Sequence, residues 1–338
     1  MDNDTIAKLA QACYSSNPAI ILGSGASMPH GLPSMGQLQK HLTDNIIPDK
    51  GAEAKAWTSV SDALASGDHL EKAMEDQNLP QELIRKIVEE TWKCVNKADH
   101  EVFLKSIAND VNFPLGKLLK GLLGTSNQRI NIITPNYDRV AEYVCNVHEL
   151  PYSTGFMPGY IQWLADNNSI TYQSNGKSVQ MIRIWKVHGS LDWFAIAENV
   201  FSAPVFDIPT NARPVIVTPG LRKYEETHYE PFRSIMAGAD DVLKKATGFI
   251  CIGFGFRDKH IVPKLHQRCK DMTVPVAVIA RTLTDEAKQF LRNNAGRRYI
   301  GLEMANTGTR IFTDTTPDGI ELDKPDLWSL KGFLTLVM

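Results

Sequence analysis

The residues Ala19-Ile-Ile-Leu-Gly23-Ser24-Gly25-Ala26-Ser27 form an apolar run that leads into a loop of small side chains. Consecutive apolar residues without polar alternation predict a strand buried on both faces, and the loop predicts a turn into a helix. Glycines there let the backbone approach a pyrophosphate, and the helix N-terminus offers free N–H groups. The G-x-G-x-x-G fingerprint is incomplete because position 28 is Met. By itself this stretch therefore fits an ordinary strand-to-helix turn equally well.

Similar short apolar runs recur along the chain. They are Ile130–Thr134, Ile182–Val187, Val215–Thr218, Phe249–Gly253 and Val274–Ala280. Helical patterns separate most of them, and that alternation is typical of a mainly parallel sheet with helices on both faces. The predicted fold class is α/β, a Rossmann-like, doubly wound sheet.

One segment, residues 49–123, contains helical patterns without a strand candidate and is predicted to be a helical module inserted into a single domain, 1–338. Its clearest helix begins near Pro80 and carries one apolar face, which we interpret as core: Leu83, Ile84, Ile87 and Val88. A second segment, 151–180, is rich in Gly, Asn, Ser and Tyr. We expect it to form a cover beside the site.

Composition excludes several classes of protein. The 338 residues are 43% hydrophobic and 22% charged with a net charge of −2, which gives no reason to expect direct nucleic-acid binding. No apolar run approaches the ~18 residues of a membrane helix, and the opening residues lack the pattern of a secretory signal. The expectation is a soluble, cytoplasmic protein that does not bind a membrane.

The cysteines and histidines do not form a metal-binding pattern. The five cysteines lack any C-x-x-C pair, and the nine histidines lack an HExxH motif or a close cluster. This spacing argues against structural zinc and against a disulfide framework, so no metal is expected.

Polar residues follow the second predicted strand in the order Thr134-Pro135-Asn136-Tyr137-Asp138. Open α/β sheets bind ligands at this end of their strands. Asn136 could orient a water molecule or a ribose hydroxyl. Asp138 could do the same, although a helix cap for the segment 139–144 is the favoured interpretation of that residue alone.

Two later strands also end in polar turns. His188, in Trp185-Lys-Val-His188-Gly189, ends a strand where a cleft is expected, and its type suits a general base, although a packed histidine is the usual alternative. The run Phe249 to His260 contains a second glycine turn, which a dinucleotide lying across the sheet edge would need. Asp258 within it could equally cap the helical segment that follows.

Taken in order, GSGAS with GLP, then TPNYD, KVHGSLDW and IGFGFRDKH resemble the sirtuin-like family, especially its bacterial antiphage-defence branch. The resemblance spans roughly residues 19–280, and it implies NAD as substrate. It also implies roles for individual residues. By this resemblance, Asn136 and His188 form the catalytic pair. The residues implied in NAD binding are Gly23, Ser24, Gly25, Ala26, Ser27, Pro33, Asp138, Gly253, Phe254 and Gly255.

Two departures separate this chain from the protein-deacylating sirtuins. Those enzymes carry four zinc-binding cysteines in paired spacing and a Phe-Arg pair after the first loop, and this chain has neither. We therefore expect an NAD glycohydrolase that cuts the nicotinamide–ribose bond and releases ADP-ribose or a cyclic form. The alternatives are an NAD-dependent protein deacylase and a non-catalytic sensor of an NAD-derived nucleotide.

The family resemblance also implies a role in antiviral defence, where unrestrained NAD depletion requires an inactive state. No trigger-sensing domain is evident in the sequence. We therefore expect control by homo-oligomerisation or by a partner such as a translocase-type ATPase or an Argonaute-like protein. The apolar C-terminal tail, residues 325–338, is a possible subunit contact, although a final helix docked on its own domain is the favoured interpretation.

Overall fold

The computed structural model describes residues 3–75, 77–125, 129–165, 170–218, 220, 229–270, 273–323 and 326–338. The strands in these ranges are β1 (Ala19–Leu22), β2 (Arg129–Thr134), β3 (Tyr152–Ser153), β4 (Gln162–Trp163), β5 (Gln173–Ser174), β6 (Lys177–Ser178), β7 (Met181–Lys186), β8 (Gly189–Ile196), β9 (Asn199–Ser202), β10 (Arg213–Ile216), β11 (Phe249–Ile252), β12 (Val276–Ile279), β13 (Tyr299–Met304), β14 (Thr309–Thr313) and β15 (Thr316–Leu322).

The helices include a single turn after β1 and one helix of 27 residues. They are α1 (Asn3–Tyr14), α2 (Ser24–Ser27), α3 (Met35–Asn45), α4 (Ala52–Ala65), α5 (Leu70–Glu75), α6 (Gln81–Ile107), α7 (Pro114–Leu123), α8 (Val140–Val147), α9 (Phe232–Lys245), α10 (Val262–Cys269), α11 (Asp285–Asn293) and α12 (Leu330–Val337). A short 3-10 turn, Met28–His30, follows α2. No helix within the described ranges is long and apolar enough to cross a membrane.

The strands of the main sheet lie in the order β15-β14-β13-β12-β11-β1-β2-β7-β3. All neighbours from β13 to β3 are parallel, and β14 and β15 add an antiparallel edge. The chain leaves β1 toward β2 on one side and later returns to β11 on the other. The crevice above β1 is therefore the switch point at which such sheets bind ligands. The predicted fold class, a mainly parallel α/β sheet, is confirmed.

Burial explains why these strands lack polar alternation. Ile20 and Ile250 belong to the core on one side of the sheet, whereas Ile21 and Cys251 belong to the core on the other side. Because successive side chains of a strand point to opposite faces, a strand covered on both faces must be apolar throughout.

The inserted module is helical, as the sequence predicts. Helices α4 to α7 occupy it, and no strand lies in the described parts of residues 49–123. Pro80 precedes α6, and Leu83 and Ile87 are fully buried, so the predicted stripe is core. Helix α6 continues to Ile107, far beyond the predicted apolar stripe, because its second half packs against the α/β domain.

One predicted strand joins a different sheet, and three strands were not predicted. The run Val215–Thr218 contributes to β10, which pairs antiparallel with β8 in a separate four-stranded sheet, β10-β8-β9-β4. The sequence also gave no warning of β13 to β15, which extend the main sheet. Residues 151–180 contribute β3 to the main sheet, β4 to the second sheet and the small hairpin of β5 and β6.

The C-terminal tail lies on its own domain. Helix α12 contacts α1 and α7, with Phe333 fully buried and Leu334 nearly so. This placement agrees with the favoured interpretation of the tail as a docked final helix. Pro325, where the predicted tail begins, lies outside the described residues.

Candidate functional site

The two glycine turns predicted from the sequence interlock above β1. The Gly23 N–H donates to Ile252 O at 3.0 Å, and the Gly25 N–H donates to Gly253 O at 3.1 Å. A Cβ atom on Gly23 would lie 2.3 Å from Gly253 O. Gly253 itself has φ of +58° and no room for a Cβ, which would lie 2.3 Å from the Ala26 nitrogen. Both positions therefore require glycine for the close contact between the loops, and Gly253 also requires it for its positive φ.

Asn136 lies at the carboxyl end of β2, beside this pair of turns. Its Nδ2 donates to Gly23 O at 2.9 Å and to Ser27 Oγ at 3.2 Å. The Thr134 hydroxyl fixes the turn by donating to Leu22 O at 2.9 Å and accepting the Asn136 N–H at 3.0 Å. Because both amide hydrogens of the Asn136 side chain are engaged, Oδ1 is left as the group that can accept a hydrogen bond from a ligand.

Asp138 joins the same network. Its carboxylate is hydrogen-bonded to the Ser27 side chain and accepts the Val140 N–H at 3.1 Å. The contact to Val140 satisfies the leading N–H of α8 from the residue before its N-cap, Arg139, and the contact to Ser27 links the carboxylate to Asn136. Burial raises the pKa of Asp138, and the nearby charge of Lys186 opposes that rise.

Lys186 is fully buried behind this segment. Its Nζ donates to Asp138 O, to Tyr137 O at 3.3 Å and to Glu142 Oε1 at 3.0 Å. Burial raises the pKa of Glu142 to about 7, against the lowering effect of Lys186. A buried ammonium group thus ties strand β7 to the backbone of the Asn136 loop and to helix α8.

A second buried ion pair connects the inserted module to the same loop. Asp99 of α6 accepts the Arg139 N–H at 2.7 Å and Nε–H at 2.8 Å, and it accepts the Tyr143 hydroxyl at 2.5 Å. Farther along, Trp92 of α6 donates its indole N–H to Leu191 O at 2.7 Å. The long helix therefore contacts the backbone just after both candidate catalytic residues.

His188 follows β7, the strand next to β2. Its Nε2 lies 3.0 Å from Oδ2 of Asp258, and the two side chains are only 10% and 6% exposed. The direction of approach does not satisfy hydrogen-bond geometry, so Nε2 has no hydrogen-bond partner among the described residues. Asp258 also accepts the His260 and Ile261 N–H groups, each at 2.8 Å, through Oδ1. The predicted capping role is therefore present together with a contact to His188.

The other predicted NAD-binding residues differ in their exposure and in the groups that they can offer a ligand. Ser24 and Gly25 are exposed on the short helix α2, and Gly255 O accepts the Thr284 hydroxyl at 2.7 Å. The Phe254 ring is buried in the core, so this residue can offer a ligand only its backbone. Pro33 is half-buried after the 3-10 turn.

Sequence reasoning missed Lys186, Glu142 and Asp99 as parts of the site. A signal was available for Lys186, because a lysine inside the strand pattern Ile182–Val187 must be buried and paired. For Asp99 no local signal exists, since an aspartate in a helix is ordinarily exposed. Within the described ranges no group of His, Cys, Asp and Glu side chains is arranged to hold a metal.

A groove of about 620 Å³ lies at the opposite end of the strands, around the amino ends of β1 and β2. Asn17, Arg129 and Lys245 line it. None of the predicted site residues borders it. The crevice above β1 remains the candidate site because the predicted residues converge there.

A mainly parallel sheet with interlocked glycine turns at its switch point defines an α/β protein of the nucleotide-binding type. Residues 130–299, half of the chain, match the family described as the SIR2-like domain, and the chain belongs to this family. A search of curated proteins finds no match.

Several solved structures are similar at low identity. One is a Sir2 homologue in complex with NAD, 15% identical over 82% of this chain and 83% of that chain, with a TM-score of 0.41. Another is a Sir2 homologue variant in complex with ADP-ribose, 15% identical over 82% and 86%, with a TM-score of 0.44. A third, from work on the mechanism and regulation of Sir2 enzymes, is 14% identical over 84% and 88%, with a TM-score of 0.43.

Proposed function

We propose that this protein is an NAD glycohydrolase that cuts the bond between nicotinamide and ribose. The observation that carries the proposal is the arrangement of Asn136: both of its amide hydrogens are fixed by Gly23 and Ser27, and its Oδ1 is left as an acceptor beside the interlocked turns. Family membership supports NAD as the ligand, because a Sir2 homologue has been solved as an NAD complex.

In the proposed binding mode, NAD lies along the carboxyl ends of the parallel strands. The pyrophosphate lies against Gly23 to Ser27. Because the N–H groups of Gly23, Gly25 and Ala26 already donate within the turns, the exposed Ser24 at the start of α2 is the residue left to bind its oxygens. Gly253, Phe254 and Gly255 contact the adenosine side, Phe254 through its backbone, and Pro33 completes the first loop. The nicotinamide ribose lies between Asn136 and His188.

The proposed reaction needs no acid to help the leaving group, because nicotinamide is already cationic in NAD. The bond between the nicotinamide nitrogen and the ribose anomeric carbon breaks, and its electron pair stays with nicotinamide. A water oxygen then bonds to the same carbon and loses a proton to His188. Asn136 Oδ1 orients that water or a ribose hydroxyl, and the anionic form of Asp138 favours positive charge on the sugar. The products are nicotinamide, ADP-ribose and a proton.

The test is a time course of nicotinamide release by purified protein, with the Asn136→Ala and His188→Ala variants measured in parallel. Release by the wild type that depends on both side chains supports the proposal. Equal release by all three proteins, or no release by the wild type at any concentration in a dilution series, would remove it. Adding an acetyl-lysine peptide separates the deacylase alternative, because that activity releases nicotinamide only together with deacetylated peptide.

A defence role and its regulation belong to the same proposal. We expect the protein to act in the cytoplasm in antiphage defence as a homo-oligomer whose activity depends on assembly or on a partner such as a translocase-type ATPase or an Argonaute-like protein. Light scattering across a dilution series, with NAD turnover measured on the same samples, tests assembly. A monomer with constant specific activity at every concentration contradicts it.

A further inference from the structure

A contact between two loops on opposite sides of the site has a chemical consequence. His188 follows β7 and Asp258 follows β11, and these strands are separated in the sheet by β1 and β2. Adjacent strands lie about 4.8 Å apart, so the two loops must reach over the crevice to bring Nε2 and Oδ2 to 3.0 Å. The imidazole and the carboxylate meet above the switch point, where the ribose is proposed to bind.

The carboxylate is held firmly in this position. Oδ1 accepts two backbone N–H groups, those of His260 and Ile261, each at 2.8 Å. The other oxygen, Oδ2, is therefore the one presented to His188. His260 also lies nearby, with its ring edge-on to that of His188 and the centroids 6.2 Å apart.

The ring nitrogen that faces Asp258 is Nε2, so Nδ1 is the nitrogen left for a substrate. A neutral imidazole carries one proton, and a carboxylate favours that proton on the nitrogen it faces. Catalytic hydrogen bonds are often misaligned before substrate binds. The poor angle at Nε2 therefore fits a pair that aligns when the ribose enters.

We propose that Asp258 is a positioning residue for His188: its carboxylate holds the proton on Nε2, leaves Nδ1 as the base, and stabilises the ring once Nδ1 has accepted a proton from water. The inference rests on the proposed function for its kinetic consequence. The tautomer of His188 does not depend on that function.

Two substitutions separate this role from capping. Asp258→Asn retains an oxygen that can accept the His260 and Ile261 N–H groups but presents an NH₂ group to His188, which reverses the preferred tautomer. Asp258→Ala removes both interactions. Glu303→Gln is the matched control, because Glu303 is a buried carboxylate that likewise accepts a backbone N–H, from Leu283 at 3.0 Å, and contacts a cation, Arg310, at 3.3 Å.

The first measurement is nicotinamide release. We expect Asp258→Asn to lower kcat at least ~100-fold with little change in KM or in thermal unfolding, the behaviour of a histidine held in the wrong tautomer. Asp258→Ala should lose activity and also unfold at lower temperature, and Glu303→Gln should keep the wild-type kcat. An Asp258→Asn enzyme that is as fast as the wild type, or faster, overturns the proposal.

The second measurement does not require activity. In protein with ¹⁵N-labelled histidine, at a pH where the ring is neutral, long-range ¹H–¹⁵N spectra report the tautomer, and His188→Gln assigns the signal. We expect the Nε2–H form in the wild type and the Nδ1–H form in Asp258→Asn. An Nδ1–H tautomer in the wild type overturns the proposal even if the Asp258 variants do not fold. If the wild type releases no nicotinamide, the proposed function fails while the spectra still decide the role of Asp258.

Discussion

The two sides of the crevice are supported in different ways. On the Asn136 side, three buried charged groups hold the loop in place: Asp138 bonds to Ser27 and to the start of α8, Lys186 bonds to Glu142, and Arg139 bonds to Asp99. On the His188 side, the imidazole lies against the Asp258 carboxylate without hydrogen-bond geometry, and the ring of His260 lies edge-on beside it.

The proposed chemistry requires different things of Asn136 and His188. The amide must hold one orientation so that Oδ1 alone faces the ribose, and a network fixed by several buried groups achieves that. The imidazole must gain and lose a proton, so one of its two nitrogens must stay open to the substrate. We therefore expect substitutions of the buried groups that hold the Asn136 loop to act mainly on stability, and substitutions of Asn136 or His188 themselves to act on turnover.

The largest effect is expected on the stability of the Asn136 side. Asp99→Ala leaves Arg139 as an uncompensated buried charge and should lower the free energy of unfolding by about 3–5 kcal/mol. Chemical denaturation measures this, with Asp44→Ala as control, because the Lys40–Asp44 pair is exposed to solvent and should contribute little to stability. Similar losses in the two variants would contradict the role assigned to Asp99.

The next effect concerns turnover on both sides. Asn136→Ala and His188→Ala should each slow nicotinamide release at least ~100-fold, about 2.7 kcal/mol in activation free energy, because each removes a positioned group. Thermal unfolding should show that His188→Ala remains folded. If only one variant is impaired, the comparison fails, because that side alone would carry the chemistry.

A smaller effect should appear in the pH dependence of stability. Burial raises the pKa of Glu142 from 4.5 to about 7, so between these values the folded chain retains a proton that the unfolded chain has released. The stability from this group is therefore present at low pH and is lost as pH rises through about 7, by an amount on the order of 1–3 kcal/mol. Denaturation of the wild type and Glu142→Gln across this range should give a difference that changes with pH. A difference in the free energy of unfolding that stays constant with pH would contradict the raised pKa of Glu142.

The smallest expected effect is at Asp138. Asp138→Ala removes the acceptor for the Val140 N–H and should cost about 1 kcal/mol of stability, whereas Asp138→Asn should retain most of it. Nicotinamide release by the same proteins separates capping from catalysis. Normal turnover in Asp138→Asn would show that the carboxylate charge does not assist cleavage.

Much of the fold was predictable because its causes are local. Residues such as Ile20 and Ile21 must both be buried, so an uninterrupted apolar run is sufficient to identify a central strand. The glycines at 23 and 253 were conspicuous for a similar reason, since a tight turn excludes other residues. The run at Val215 misled because its apolar character shows that it is buried but does not reveal which sheet it joins.

The sequence by itself determined the α/β class, because hydrophobic periodicity is a property of neighbouring positions, and it predicted the helical insertion and the candidate residues Asn136 and His188. Only the tertiary structure decided what those residues contact. Asn136 bonds to a glycine carbonyl 113 positions away, and the partners of Lys186 and His188 lie on other elements. Such pairings depend on strand order and loop path, which bring distant residues within 3 Å without leaving a pattern in the chain.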